Sequence, residues 1–232
     1  FRRVLFRSLF SEPNRISESD LFSTPDGIND LAIALLDING ETSLYDQCSG
    51  VSSFLIKAGL KSRPNALVGV EINTECRILS NIRSSIVDMP LTIIQGDAIN
   101  PAFDGVKFDR IFCNPPIGMK FQAIQNSIYQ NSLLLQELKS VNNMASSEWA
   151  FITSALAAQE TNGRTVAIMS SAGTWNKADI DIRKRFVEKG LVEGVILLPG
   201  KLLSFTNIQT IVMVISNNNK SVKMVDATEF YK

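Results

Sequence analysis

Asp109-Arg110-Ile111-Phe112-Cys113-Asn114-Pro115-Pro116-Ile117-Gly118 is an apolar, strand-like run that stops at an Asn followed by two prolines. Neither proline can donate to a sheet ladder and each is locked near one φ, so the strand ends there in a stiff turn. The turn presents an amide oxygen and rigid backbone carbonyls with nothing inside the sheet to bond. Such acceptors suit the two hydrogens of a planar amino group, for example the exocyclic N6 of adenine. Taken alone, the same residues read equally well as a strand closed by a proline turn.

Outward from this run, short apolar strands alternate with helices. Strand candidates are 43–46, 66–72, 91–95, 108–113, 164–170, 191–198 and 210–216, and helix candidates are 51–58, 74–87, 147–161 and 178–189, the last closed by Gly190. An earlier helix is expected over 27–37, with Thr24 as N-cap, Pro25 in the first turn and Asp26 at the positive end of the dipole. Strands this apolar are buried on both faces, so the fold class is α/β with a doubly wound, mostly parallel seven-stranded sheet. Residues 117–146 are polar, with an apolar island at Leu133, Leu134 and Leu135, and read as a long irregular insertion where substrate loops usually sit.

The 232 residues suffice for one large domain, and 45% hydrophobic with 20% charged residues is an ordinary globular balance. The formal net charge is zero. A chain gripping long nucleic acid alone would carry a basic excess, so a nucleic-acid substrate implies a basic partner. Histidine is absent, which removes Ser-His-Asp, Cys-His and His-metal chemistry together. Cys48, Cys76 and Cys113 are odd in number and lack metal-ligand spacing, which reads as reduced thiols of a cytoplasmic protein. No apolar run has the length of a membrane span, and no secretory leader is visible. Residues 1–20 are taken as an extension, with 1–8 resembling a cloning remnant, and 21–232 as the folded domain.

In an open α/β sheet ligands lie beyond the carboxyl ends of the strands. The first strand ends in Asp46-Gln47-Cys48-Ser49-Gly50-Val51-Ser52, a compact turn into a helix with a single glycine. Glu71 and Ile72 close the second strand, about 20 residues past Gly50, where a carboxylate takes ribose hydroxyls in such folds. Gly96-Asp97-Ala98 closes the third and Asn114-Pro115-Pro116 the fourth. Any one of these acids alone reads more readily as a solvated strand end or helix cap. Four polar groups on one edge point to a ligand. No Gly-x-Gly-x-x-Gly or Gly-Lys-Ser/Thr loop is present to cradle phosphates. A cofactor with ribose and adenine but no phosphate fits better, and S-adenosylmethionine has that chemistry.

These motifs resemble the catalytic domain of the amino-group DNA methyltransferases, and most of all the modification subunit of type I restriction-modification systems. Phe22-Ser23-Thr24-Pro25 resembles that family's Phe-Tyr-Thr-Pro element, Tyr45 to Gly50 its Tyr-Asp-Pro-x-x-Gly turn, and Asn114-Pro115-Pro116-Ile117-Gly118 its Asn-Pro-Pro-Phe-Gly turn. Ser147-Glu148-Trp149-Ala150-Phe151, Asn162-Gly163-Arg164, Ile182-Arg183-Lys184, Leu197-Leu198-Pro199-Gly200, Asn207-Ile208-Gln209-Thr210 and Val225-Asp226-Ala227 match in character, so the likeness runs from about residue 21 onward.

The resemblance implies a Rossmann-like methyltransferase fold and N6 methylation of a flipped adenine in DNA. It implies S-adenosylmethionine held by Thr24, Pro25, Asp46, Gly50, Ser52, Glu71, Ile72, Asp97 and Ala98, with Asn114, Pro115, Pro116 and Ile117 as the catalytic turn. It also implies DNA, a specificity subunit and a restriction subunit as partners, with DNA reading carried outside this chain. Ile117 stands where the family has an aromatic that stacks on the base, an interaction worth roughly 1–3 kcal/mol. Weaker base capture is therefore expected unless Phe121 supplies the ring. Ser52 stands where the family has Gly. Two rivals remain: a methyltransferase-like scaffold without transfer, and an enzyme acting on RNA or protein glutamine, whose families share the Asn-Pro-Pro turn.

Overall fold

A computed structural model describes residues 23–101, 105–138, 145–200, 202 and 207–229. The expectations placed on 1–20 and on Phe22 lie outside the described residues. The elements run α1 (Asp26–Leu36), β1 (Ser43–Asp46), α2 (Ser53–Ser62), β2 (Ala66–Glu71), α3 (Thr74–Ile86), β3 (Thr92–Gln95) and β4 (Phe108–Cys113). Then come α4 (Gln125–Gln130), α5 (Ser132–Leu138), α6 (Glu148–Ala157), β5 (Gln159–Ser170), α7 (Ala172–Trp175), α8 (Ile180–Glu188), β6 (Val192–Leu197), β7 (Thr210–Ile215) and β8 (Lys223–Asp226).

Sheet order is β3-β2-β1-β4-β5-β7-β6-β8. Only β7, antiparallel to both β5 and β6, runs against the rest. The doubly wound reading holds, with one correction: among the described residues the sheet has eight strands rather than seven. β8 joins the edge beside β6, and all four of its residues are exposed. A short, charge-flanked edge strand buries no face and leaves no apolar signature.

Each sheet face carries its own core. On one, Ile28, Ala32, Ile33 and Leu36 of α1 and Phe54, Leu55 and Ala58 of α2 pack on Leu44, Phe112, Val166 and Val212. The Phe54 and Phe112 rings stack there at 4.1 Å. On the other, Trp149, Ala150, Ile152 and Ala155 of α6 and Ile182 and Phe186 of α8 cover Ile111, Cys113, Ala167 and Met213.

Several boundaries move. Pro25, not Thr24, occupies the N-cap position of α1, with no side-chain cap. The helix expected over 147–161 stops at Ala157, because the chain turns at Ala158 and β5 begins at Gln159. The insertion 117–146 is not irregular over its described residues. It holds a 3-10 turn at Phe121–Ile124 followed by α4 and α5, which bury Ile124, Ile128, Leu134 and Leu138. Its base is closed by a bridge between Lys120 and Ser146, and buried Asp179 accepts from the Ala145 and Ser146 amides and the Ser146 hydroxyl.

Candidate functional site

Parallel register places the carboxyl ends of β2, β1 and β4 side by side. Glu71 lies opposite Gln95, Asp46 opposite both Gly69 and Phe112, and the Asn114 turn begins two residues past Phe112. The four polar groups expected to share one edge therefore do so.

Asp46 is 2% exposed and its Oδ1 finds no hydrogen-bond partner among the described residues. Burial pushes its carboxyl up to about 8, the nearby charge of Glu71 adds to this, and a hydrogen bond from the Cys48 backbone opposes it. Cys48 and Cys113 are free thiols, both raised well above their ordinary range by burial, so neither is a ready nucleophile.

Glu71 has a local task beside the one expected of it. Its Oε2 accepts from the Gly50 amide at 2.7 Å and its Oε1 from the Asn73 amide at 2.7 Å, tying the β1–α2 turn to the β2–α3 turn. Each carboxylate oxygen retains a lone pair for a further donor. Ile72 follows, 71% exposed, an apolar side chain beside the acid. Asp97 Oδ1 accepts from the Ile99 amide, while the Ala98 carbonyl is held by Gln47 and Ser154.

The glycine turn is built for close backbone approach. Gly50 has φ +52°, and Ser52 has φ 59°, a left-handed conformation unfavourable for a residue with a Cβ. Ser52 Oγ compensates through a 3.0 Å bond to Ser80, whose hydroxyl also donates to the Gly50 carbonyl. Arg83, on the same stripe of α3, donates to the Val51 carbonyl at 2.6 Å, and burial lowers it to about 10. We expect Ser52→Gly to change stability by less than about 1 kcal/mol, since relief of strain offsets the lost bond. Ser52→Ala keeps the strain and loses the bond, and should unfold in urea about 1 kcal/mol less stable than Ser52→Gly.

At the proline turn, Asn114 is half-buried, Pro115 buried and Pro116 exposed. Asn114 Nδ2 donates to Thr24 Oγ1 at 3.0 Å. Among the described residues neither Asn114 Oδ1 nor the Pro115 carbonyl receives a donor. Ile117 packs at the border of the α1/α2-side core. Phe121, the ring expected to replace the missing aromatic, is half-buried against the opposite core, so it is engaged in packing. Among the described residues the exposed aromatics are Trp175, 70% exposed on α7 just past the carboxyl end of β5, and Tyr129 on α4.

Gln47, Ser80 and Arg83 escaped the sequence reading. Gln47 is fully buried and joins the end of β1 to the Ala98 and Phe151 carbonyls. The available signal was the polar stripe Cys76, Ser80, Arg83 and Ser84 at helical spacing, which is the buried side of α3. Among the described residues no cluster of His, Cys, Asp or Glu could hold a metal ion, and no helix is long and apolar enough to cross a membrane.

The sequence model of the N-6 DNA methylase family matches residues 10–232. The chain belongs to that family. Two type I restriction enzyme methylase subunits of Methanocaldococcus jannaschii, MjaVIII and MjaVII, are each 26% identical to it over 89% of the chain and 38% of their own length. Among solved structures, a type I restriction-modification methyltransferase subunit from Streptococcus thermophilus superposes with a TM-score of 0.78 at 22% identity, covering 91% of this chain and 48% of that one. A class I S-adenosylmethionine-dependent methyltransferase from Listeria monocytogenes, so described provisionally, reaches 0.78 at 15% identity over 100% of this chain and 73% of its own. These structural likenesses establish the class I methyltransferase fold. The chain spans less than half the length of the type I subunits it matches.

Proposed function

We propose that this N-6 DNA methylase domain methylates N6 of an adenine rotated out of duplex DNA, as part of a type I modification subunit working with a specificity subunit in the cytoplasm. The observation that carries the reading is the pair of acceptors, Asn114 Oδ1 and the Pro115 carbonyl, that receive no donor among the described residues, on the same sheet edge as the buried Asp46 oxygen.

The residues fit S-adenosylmethionine. Asp46 offers a buried carboxylate oxygen with no donor, Gly50 and Ser52 a turn open to close approach, Glu71 and Asp97 further acceptors, and Ile72 an exposed apolar cover for a base. Pro25 and Ala98 would complete the contact. When bound, the cofactor supplies an electrophilic methyl group on a sulfonium.

The adenine must leave the stack before N6 can be reached. Its N6 lone pair is delocalised into the ring, so the amine is a poor nucleophile. Asn114 Oδ1 and the Pro115 carbonyl would accept its two N–H groups, favouring a more tetrahedral, electron-rich nitrogen. The methylated nitrogen is strongly acidic and sheds its extra proton without a strong base, in keeping with a chain that has no histidine.

Ile117, packed at a core border rather than presenting a ring, favours one second reading, a methyltransferase-like subunit that assembles without transfer. Calorimetry with S-adenosylmethionine, then labelled-methyl transfer in the presence of the specificity subunit, separates the two. Cofactor binding with label appearing in DNA supports the enzyme. Binding without label in DNA supports the scaffold, and label in RNA or protein glutamine instead redirects the enzyme to those acceptors.

A further inference from the structure

Thr24 was assigned to the cofactor by resemblance, yet the structure gives its hydroxyl another partner, Asn114, 90 residues away in sequence. We propose that Thr24 is a positioning residue that aims the Asn114 amide at the target amine. The inference rests on the enzymatic reading above and adds a part to it.

An amide is planar, so tethering Nδ2 sets the direction of Oδ1. The Asn114 side chain would otherwise turn about a broad terminal torsion, since no other side chain among the described residues bonds it. The bond spends the donor end of the amide on Thr24 and leaves the acceptor end free for an N–H.

The post itself is fixed. Asn29, buried on α1, donates from Nδ2 to the Thr24 carbonyl at 3.0 Å. Ser23 bonds Ser53 of α2, hydroxyl to hydroxyl, at 2.8 Å. The next residue, Pro25, is locked by its own ring at φ −56°. Thr24 is thus held from both helices that cover the face of Phe112, and the hydroxyl it presents across β4 has little freedom. A rigid second group holding the first is what accurate placement of a reacting centre requires.

The test uses Thr24→Val, which keeps the shape and removes the acceptor, and Thr24→Ser, which keeps the hydroxyl. In the isotope-labelled chain, one Asn114 side-chain amide proton should resonate downfield and exchange slowly with water. That signature should vanish in Thr24→Val and persist in Thr24→Ser. In the complete modification complex, Thr24→Val should slow single-turnover methyl transfer about tenfold or more. Cofactor affinity should hold within about twofold, and Thr24→Ser should retain most of the rate.

A fall in cofactor affinity matching the fall in rate would make Thr24 a cofactor contact and overturn the proposal. Equal loss in Thr24→Val and Thr24→Ser would overturn it in favour of packing by the threonine methyl. An Asn114 amide proton unchanged in Thr24→Val would overturn it outright. Failure of the underlying reading looks different: the unaltered chain would then bind cofactor without labelling DNA, or Asn114→Ala would transfer methyl groups as fast as the unaltered chain.

Discussion

Asn114→Ala should lower the rate of methyl transfer to DNA by on the order of a thousandfold, the scale seen when one preorganised hydrogen-bonding group is removed from a reacting centre. The side chain is half-buried and bonds only Thr24 among the described residues, so truncation removes little packing. Melting temperature and cofactor affinity should therefore stay near those of the unaltered chain. Single-turnover transfer beside calorimetric binding checks both halves. Comparable transfer by Asn114→Ala would remove the catalytic role of the turn. A parallel collapse of folding would reassign Asn114 to structure.

The second large effect concerns Asp46. Its folded-state carboxyl titrates at about 8, against about 3.9 for an unfolded aspartate. Between those values the folded chain holds a proton that the unfolded chain has released, so stability falls as pH rises, by up to about 1.4 kcal/mol per unit. The cofactor-free domain should lose stability from about pH 4 to 8 and level off above. Asp30 and Asp109, lowered by the side-chain hydrogen bond from Lys57 and by the backbone hydrogen bond with Ser43, act the other way. Their contribution is lost as pH falls through their own range, which puts the optimum near mild acidity.

Asp46→Asn removes the titration while keeping the shape. At pH 8 it should melt about 5–10 °C above the unaltered chain and bind S-adenosylmethionine at least about tenfold more weakly, a stability gain taken from function. A melting temperature that is flat from pH 5 to 8 in the unaltered chain would show that no buried proton is held there.

Strand positions were legible because strands covered by helices on both faces are largely apolar. The runs ending at Asp46, Glu71, Gln95 and Cys113 place their polar ends on one edge through register alone. What was not legible shares a different physics. β8 buries nothing. α4 and α5 are too short to show a period, and are held by a few buried side chains and by Asn131, which donates to the Ile99 carbonyl. Ser80 and Arg83 look like a solvated face, whereas they brace the turn under Ser52. The Thr24–Asn114 bond joins residues that only the folded sheet brings together.

The reversed direction of β7 carries a consequence of its own. It is the strand of the described sheet that starts at the cleft instead of finishing there, and Ile208, just ahead of it, sits 3.3 Å from where a methyl on Gly118 would project. Both flanks of β7 are bonded, to β5 and to β6, so residues 207–209, just ahead of it, lead into a fixed anchor. A change of side chain at Ile208 would therefore reshape the surface beside Gly118 while every strand keeps its neighbours.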